Sequence, residues 1–168
     1  MRKFNLKIPG IGVFIYSIVF IFAMMSTTAC DKAGEKKEWV YLFDGSNLDA
    51  WMTYRKDIIT GDCESFEGEL VYRPNPESAN LMKNLMTRKI YNSFEFALEW
   101  KIEKDGNSGV FYGIHEDEKY VVPYMTAPEV QLRDYSSDPD FNDKLQMSGA
   151  IFGIVGPEED AARPAGEW

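Results

Sequence analysis

Apolar and polar side chains alternate along much of this chain, whereas helical spacing is rare. From Phe94 to Ile102 every even-numbered residue is apolar, and three of the four odd-numbered residues are charged. Nine residues of period two predict a strand with one buried and one polar face. Similar patterns predict four further strands, over residues 39–43, 110–114, 128–133 and 149–155.

The stretches between these predicted strands are rich in residues that form turns. Residues 66–72 predict a hairpin that turns at Glu67-Gly68. Residues 105–109 predict a turn between strands, in which glycine supplies a positive φ. A short helix is expected over residues 81–86, and no internal repeat is present. The pattern predicts an all-β domain, a sandwich of two sheets.

The first 30 residues differ in pattern from the rest of the chain. Arg2, Lys3 and Lys7 give a basic end, residues 11–25 carry no charge, and small residues precede Cys30. This is the layout of a secretory signal peptide. A single anchoring helix is the alternative, although the apolar run is short for a hydrocarbon core of roughly 30 Å. We predict a leader over residues 1–29, a tether over 30–38 and a domain over 39–168.

Charge and composition restrict the classes of function. The chain has 27 acidic and 18 basic side chains, a formal charge of −9, whereas a nucleic-acid-binding face must be basic to neutralise phosphates. Removal of residues 1–29 would take away three positive charges and shift the formal charge to −12. Two cysteines do not make a disulfide framework, and one histidine does not suit a His-rich zinc site.

Five short segments follow one another along the chain: WVYLFDGSNLDAW at Trp39–Trp51, FEFALEWK at Phe94–Lys101, GNSG at Gly106–Gly109, APEVQ at Ala127–Gln131 and PAGEW at Pro164–Trp168. Together they resemble the motif set of the 3-keto-disaccharide hydrolase domain family. That resemblance implies a concanavalin-like jelly-roll sandwich that acts on carbohydrate. Because the family's domain continues for several strands beyond PAGEW, the resemblance also implies that the last strands are missing here.

Cys30 follows directly after Ala29, and this junction resembles a bacterial lipoprotein lipobox with Thr27 where leucine is usual. In such proteins the cysteine becomes the lipidated first residue, and the lipid holds the chain on a membrane surface. The resemblance therefore implies lipidation at Cys30 and an exported protein anchored to the bacterial cell envelope, at the outer membrane.

A strip of polar residues is predicted on one sheet face. The even-numbered residues of 94–102 and 128–133 face the core, so the odd-numbered ones face the other way. One shared sheet would join them in a groove lined by Glu99, Lys101, Glu129, Gln131 and Arg133. Asn107 and Ser108 either shape a turn or project at the rim of that groove. The strip is either a sugar-binding groove or the solvated outside of the sandwich.

The residue types on this strip suit one kind of sugar chemistry. Ordinary glycosidases use two carboxylates, which alternate on one strand in jelly-roll glucanases, whereas position 131 is an amide. In a 3-keto sugar the carbonyl acidifies the proton at C2, so one base can remove it and expel the glycosidic oxygen from C1. This chemistry needs a base and donors for the enolate oxygen. We assign Glu129 as the base and Gln131 and Lys101 as donors, with Glu99, Arg133, Asn107 and Ser108 as further substrate contacts.

Three interpretations stay open on the sequence alone. The first is an enzyme that cleaves 3-keto-glycosides without an organic cofactor or a metal. The second is a non-catalytic carbohydrate-binding module of the same fold, and the third is a truncated chain with neither activity. Asp44 and nearby acids have the oxygen ligands that Ca²⁺ prefers, but no EF-hand spacing accompanies them.

Overall fold

The computed structural model describes residues 4–7, 39–60, 62–73, 84–160 and 162–168. Their regular structure consists of strands and two short 3₁₀ helices, at Pro123–Met125 and Lys144–Gln146, with no α-helix in these ranges. The strands are β1 (Phe4–Lys7), β2 (Val40–Phe43), β3 (Trp51–Thr53), β4 (Cys63–Phe66), β5 (Glu69–Tyr72), β6 (Leu85–Thr87), β7 (Glu95–Ala97), β8 (Asn107–Phe111) and β9 (Glu129–Arg133). The all-β prediction is confirmed for this part of the chain. Over the same ranges we find no helix with the length and hydropathy needed to span a membrane.

The strands pair in four antiparallel groups. One sheet has the order β2-β1-β7, and the pairs β3-β6, β4-β5 and β8-β9 form the others. Each pair is short, since the strands have only three to five residues each. This arrangement separates β7 from the β8-β9 pair, which matters for the candidate site.

Strand β1 falls inside the predicted leader. It lies between β2 and β7, with Asn5 opposite Tyr41 on one side and Ala97 on the other. The rest of the predicted leader, Cys30 and the tether over residues 31–38 lie outside the described residues. Of the predicted leader, residues 4–7 therefore form the central strand of this sheet.

Three sequence predictions need correction. The strand predicted over 94–102 has ladder pairing only at Glu95–Ala97, which lie opposite Lys7, Leu6 and Asn5 of β1, although exposure still alternates to Ile102. The helix predicted over 81–86 is wrong for its described part, because Leu85–Thr87 pairs with Trp51–Thr53 as a strand. The strand predicted over 149–155 is also wrong. Positive φ angles at Gly149 and Gly153 fold that segment into a turn with isolated bridges at Ile151.

The β4-β5 hairpin agrees with the prediction. Strands Cys63–Phe66 and Glu69–Tyr72 are joined by Glu67 and Gly68, both with positive φ, at 50° and 81°. Two positive φ angles in a two-residue connection define a type I′ turn, whose twist matches that of paired strands. Cys63 is half-buried on β4.

The core lies beneath β2 and β3. Leu42 and Trp51 are buried there, and the indole Nε1–H of Trp51 donates to the Leu42 carbonyl at 2.7 Å. The partly buried apolar side chains packed against them are Leu48, Ala50, Ile59, Leu70, Leu85, Tyr91 and Phe96. The buried Tyr54, just past β3, donates from its hydroxyl to the Tyr120 carbonyl at 3.1 Å. That bond connects the core to the loop that leads into β9.

Candidate active site on the face of β8 and β9

The register of β8 with β9 decides which side chains share a face. Directly opposite residues of an antiparallel pair point to the same side of the sheet. Asn107 lies opposite Arg133, Gly109 opposite Gln131, and Phe111 opposite Glu129. These six residues form one face, which we call the Glu129 face. Ser108 lies opposite Leu132 and therefore belongs to the other face.

A tight turn sets the point at which β8 begins. The Gly106 amide donates to the Glu103 carbonyl at 2.9 Å, and Asp105 has a positive φ of 60°. The Asp134 carboxylate accepts the Asp105 N–H at 2.8 Å, and this bond holds the pKa of Asp134 below its ordinary value. Asn107 and Gly109 thus lie within the strand rather than in a turn. The positive φ predicted for glycine falls on Asp105 instead.

Strand β9 has neighbours on both sides. Beyond β8, the Gln131 N–H donates to the Ala150 carbonyl at 2.9 Å, and the Phe152 N–H donates to the Glu129 carbonyl at 2.9 Å. The Arg133 N–H donates to Ser148 Oγ at 2.8 Å, and that hydroxyl donates back to the Arg133 carbonyl. These bonds fix the backbone from which Glu129, Gln131 and Arg133 project. A site built on a paired strand holds its side chains more firmly than a loop would.

Glu129 has the environment of a proton acceptor. Its side chain is half-buried and lies across Gly109 of the neighbouring strand. Burial raises the pKa of the Glu129 carboxyl, since the charged form loses solvation. Among the described residues, none donates a hydrogen bond to this carboxylate that would offset the loss. A carboxylate of raised pKa and without fixed partners is suited to take a proton from a substrate.

Gln131 and Asn107 form an amide pair beside Glu129. The Gln131 Nε2–H donates to Asn107 Oδ1 at 3.2 Å. Gln131 retains only 2% of its exposure, whereas Asn107 is exposed. Because Asn107 Oδ1 is occupied, its Nδ2 amino group is the part of this pair that can donate to a ligand.

Arg133 completes the polar row at the far end of β9. Its Nη1 donates to Gln146 Oε1 at 3.3 Å, and the guanidinium lies 5.1 Å from the ring centroid of Phe141. A guanidinium held over an aromatic ring keeps its orientation and still has further N–H groups. Arg133 is therefore a positioned donor at the edge of the Glu129 face.

Glu99 and Lys101 are not brought to this face by a shared sheet. Their segment follows β7, which pairs with β1, so the assumption of one sheet is wrong for the described strands. Lys101 Nζ lies 3.7 Å from Glu69 Oε2 and 4.7 Å from the ring centroid of Trp168. Exposed Glu99 lines a separate cleft with Trp100, Ile102 and the 163–168 segment. This cleft is held by the Gly166 N–H, which donates to the Ile102 carbonyl at 2.8 Å.

Asp44 uses its carboxylate locally. Oδ1 accepts from the Ser46 N–H at 2.9 Å and the Ser46 hydroxyl at 2.6 Å, which lowers the pKa of Asp44. Within the described ranges, no three His, Cys, Asp or Glu side chains converge in a metal-binding group. The geometry of Asp44 is that of a residue that caps its own turn.

Comparison with known proteins identifies the family. The model of a family described as the 3-keto-alpha-glucoside-1,2-lyase-like domain matches residues 38–168. This chain belongs to that family. The five motifs read from the sequence all lie within the matched range, so the resemblance that they indicated is confirmed.

Two relatives agree with the lyase-like family assignment. A protein of Bacteroides thetaiotaomicron named 3-keto-disaccharide hydrolase is 29% identical over 147 residues, which cover 77% of this chain and 50% of that protein. A crystal structure from Parabacteroides distasonis, named a "putative glycosyl hydrolase", matches with a TM-score of 0.60 and 25% identity over 77% of this chain and 60% of that one. The chain spans about half the length of the curated relative.

Sequence reasoning missed two residues of the Glu129 face, Gly109 and Phe111. Reasoning that treated GNSG as a turn removed these positions from the strand. The period-two signal was present, since residues 107, 109 and 111 are on one face once the strand starts at Asn107. The start of β8 at Asn107 was not predictable because the chain reverses at Asp105, whose N–H donates to the carboxylate of the distant Asp134.

Proposed function

We propose that this protein cleaves the glycosidic bond of 3-keto-glycosides, including 3-keto-disaccharides, with Glu129 as the base. The observation that carries the proposal is the Glu129 carboxylate, which is half-buried and has a raised pKa. The next side chain on the same face of β9 is an amide, Gln131. A retaining glycosidase needs a second carboxylate about 5–5.5 Å away, and the six residues of the Glu129 face include only one. A single base suits an elimination instead.

The proposed reaction begins at C2 of the sugar, next to the C3 carbonyl. Glu129 takes the C2 proton, and the electron pair of that C–H bond passes through the enolate to form a C1–C2 double bond. The C1–O glycosidic bond breaks, and the leaving oxygen takes up a proton from solvent. The oxygen of a water molecule then bonds to C1, and Glu129 returns the abstracted proton to C2, which releases the free 3-keto sugar. The proton that this water loses passes to solvent and replaces the one that the leaving oxygen took up.

The enolate that forms in this reaction needs a donor for its oxygen. We assign that role to Asn107 Nδ2, because Asn107 is exposed and its other amide atom is bonded to Gln131. Gln131 is buried and orients Asn107, and Lys101 is engaged with Glu69, so both take less direct roles than the sequence suggested. A preorganised donor of this kind contributes most when the charge develops in the transition state.

The family and the relatives support the chemistry at a coarser level. The family is described as 3-keto-alpha-glucoside-1,2-lyase-like, and the Bacteroides thetaiotaomicron relative is named a 3-keto-disaccharide hydrolase. We further propose that the domain adopts the concanavalin-like jelly roll and that Cys30 carries a lipid, which anchors the protein to the cell envelope at the outer membrane. The basic end, the apolar run and the Ala29-Cys30 junction support the anchor.

The proposal is tested with the full-length protein and two substrates that share one aglycone, a 3-keto-glucoside and the plain glucoside. We expect turnover of the keto sugar alone, a slower rate when C2 carries deuterium, and a loss of roughly 10²–10⁴-fold in kcat for Glu129→Gln. Glu118→Gln, which changes an exposed loop carboxylate, is the matched control and should retain wild-type turnover.

Two results would contradict this function. Unchanged turnover in Glu129→Gln would remove the assigned base. Binding of both glucosides with no product would instead favour a carbohydrate-binding module that uses the same face. An equal turnover rate for the C2-deuterated and the ordinary 3-keto-glucoside would show that proton removal at C2 is not the slow step. Solvent deuterium exchange at C2 would then decide whether that proton is removed at all.

A further inference from the structure

We infer that Gly109 is a positioning residue: it leaves open the space on β8 that the Glu129 carboxylate occupies. The inference rests on the proposed function for its catalytic consequence. It concerns the GNSG motif, which sequence reasoning had assigned to turn formation.

The geometry around Gly109 shows a close approach of the two strands' side chains. Gly109 lies opposite Gln131, whereas Glu129 lies opposite Phe111, so the Glu129 side chain crosses diagonally to reach Gly109. A Cβ added to Gly109 would lie 2.6 Å from both Cγ and Cδ of Glu129 and would overlap its Oε1. Real Cβ atoms do not approach other atoms so closely. Any side chain at position 109 must therefore displace the carboxylate.

Backbone conformation does not account for the glycine. Gly109 is absent from the six described glycines that have positive φ, and it pairs within a regular antiparallel ladder. Alanine adopts such a backbone conformation without strain. The requirement for glycine at 109 thus arises from the side chain above it, in contrast to Gly68, where φ is 81° and an added Cβ meets nothing within 4 Å.

The position of the carboxylate has a chemical consequence. The Glu129 carboxylate lies over Gly109, the residue paired with Gln131, whose amide binds Asn107. The base and the proposed enolate donor therefore lie on neighbouring rows of one face. An added methyl group would push the carboxylate away from this alignment and toward water. Misplacement of a reacting group by about 1 Å can reduce a rate by about 10²-fold.

The kinetic test compares wild type, Gly109→Ala and Glu129→Gln with the 3-keto-glucoside. For Gly109→Ala we expect a fall of about 10²-fold in kcat, with KM within about threefold. The acidic limb of the kcat/KM profile should also move to lower pH, because a carboxylate returned to water is easier to ionise. A merely structural defect would lower the amount of folded protein without moving that limb.

A thermal-stability cycle keeps the inference testable even if Gly109→Ala folds poorly. Glu129→Ala removes the side chain that an alanine at 109 would overlap, so the double variant should recover at least about half of the Tm lost in Gly109→Ala. The inference would be overturned if Gly109→Ala lowered Tm by the same amount in the Glu129→Ala variant as in the wild type.

The outcomes separate the two proposals. If Glu129→Gln loses activity while Gly109→Ala keeps wild-type kcat and pH profile, the positioning role is wrong and the base assignment stands. If Glu129→Gln keeps full activity, the proposed function is wrong. The Tm cycle then still decides whether Gly109 makes room for Glu129.

Discussion

Glu129 differs from the other carboxylates near it through its surroundings. Asp134, five residues later, accepts hydrogen bonds from the Asp105 and Ser136 amides, which lower its pKa. Burial raises the pKa of Glu129, and among the described residues nothing donates to its carboxylate. Asp134 is thus a structural residue of the turn before β8. Glu129 is kept in a state that costs stability and suits proton transfer.

This cost predicts how stability varies with pH. Because the folded state raises the pKa of Glu129, ionisation is less favourable in the folded than in the unfolded chain. The destabilisation is absent below the ordinary pKa of glutamate and is complete above the raised pKa. Glu129→Gln should therefore increase Tm at about pH 7.5 and have little effect at roughly pH 3.5. Thermal melts at both pH values measure this, with Glu118→Gln as the exposed control; a Tm gain that does not grow with pH would contradict it.

At the scale of elements, two-residue turns and neighbouring strands determine which segments pair as β-strands. The β4-β5 hairpin was predictable because its signal is local: Gly68 accepts a positive φ, and the flanking residues alternate. Strand β6 was not predictable, because residues 85–87 form a strand only through pairing with β3. Short apolar segments take the conformation that a partner imposes.

The β4-β5 turn allows a stability prediction. Glu67 has a positive φ of 50°, which costs energy for a residue with an ordinary side chain. Asparagine tolerates this conformation better and gives the Asn-Gly pair preferred in type I′ turns. Glu67→Asn should raise the free energy of unfolding by about 0.5–1 kcal/mol, as measured by urea unfolding. Gly68→Ala is the opposing variant, since its φ of 81° disfavours any side chain, and a stabilising effect there would contradict the turn type.

Strand β1 gives a second prediction at this scale. It is the shared neighbour of β2 and β7, and it comes from the segment predicted as a leader. A chain that starts at Cys30 should therefore show faster amide exchange at Val40–Phe43 and Glu95–Ala97 than the chain from Met1. Amides in the β8-β9 ladder serve as the internal control and should keep their protection. Equal protection of β2 in both chains would show that β1 does not stabilise it in solution.

At the scale of the whole molecule, charge and the N-terminal segment concern location. The formal charge of −9 gives no general attraction to an anionic membrane surface. A covalent lipid, as proposed for Cys30, would attach the protein to a membrane without relying on net charge. The proposed anchor at Cys30 can therefore be tested independently of the proposed reaction at Glu129.

The anchor predicts where the protein is found in cells. With a lipid on Cys30, the wild type should sediment with envelope membranes, and Cys30→Ser should lose that attachment. Cys63→Ser is the matched control, because Cys63 is half-buried within β4 and lies 33 residues after Cys30 (63 − 30). Fractionation with immunoblotting measures both variants. Release of wild type and Cys30→Ser to the same extent would contradict lipidation at Cys30.

The sequence by itself determined the all-β class, the family, the β4-β5 hairpin and the alternation that puts Glu129, Gln131 and Arg133 on one face. Each of these depends on residues close together in the chain or on a recognisable motif order. Tertiary structure alone decided that β7 lies in another sheet than β9 and that Lys101 meets Glu69. It also decided that Gly109 lies beneath Glu129. These contacts join distant segments, and local alternation specifies the face of a strand but not its neighbour.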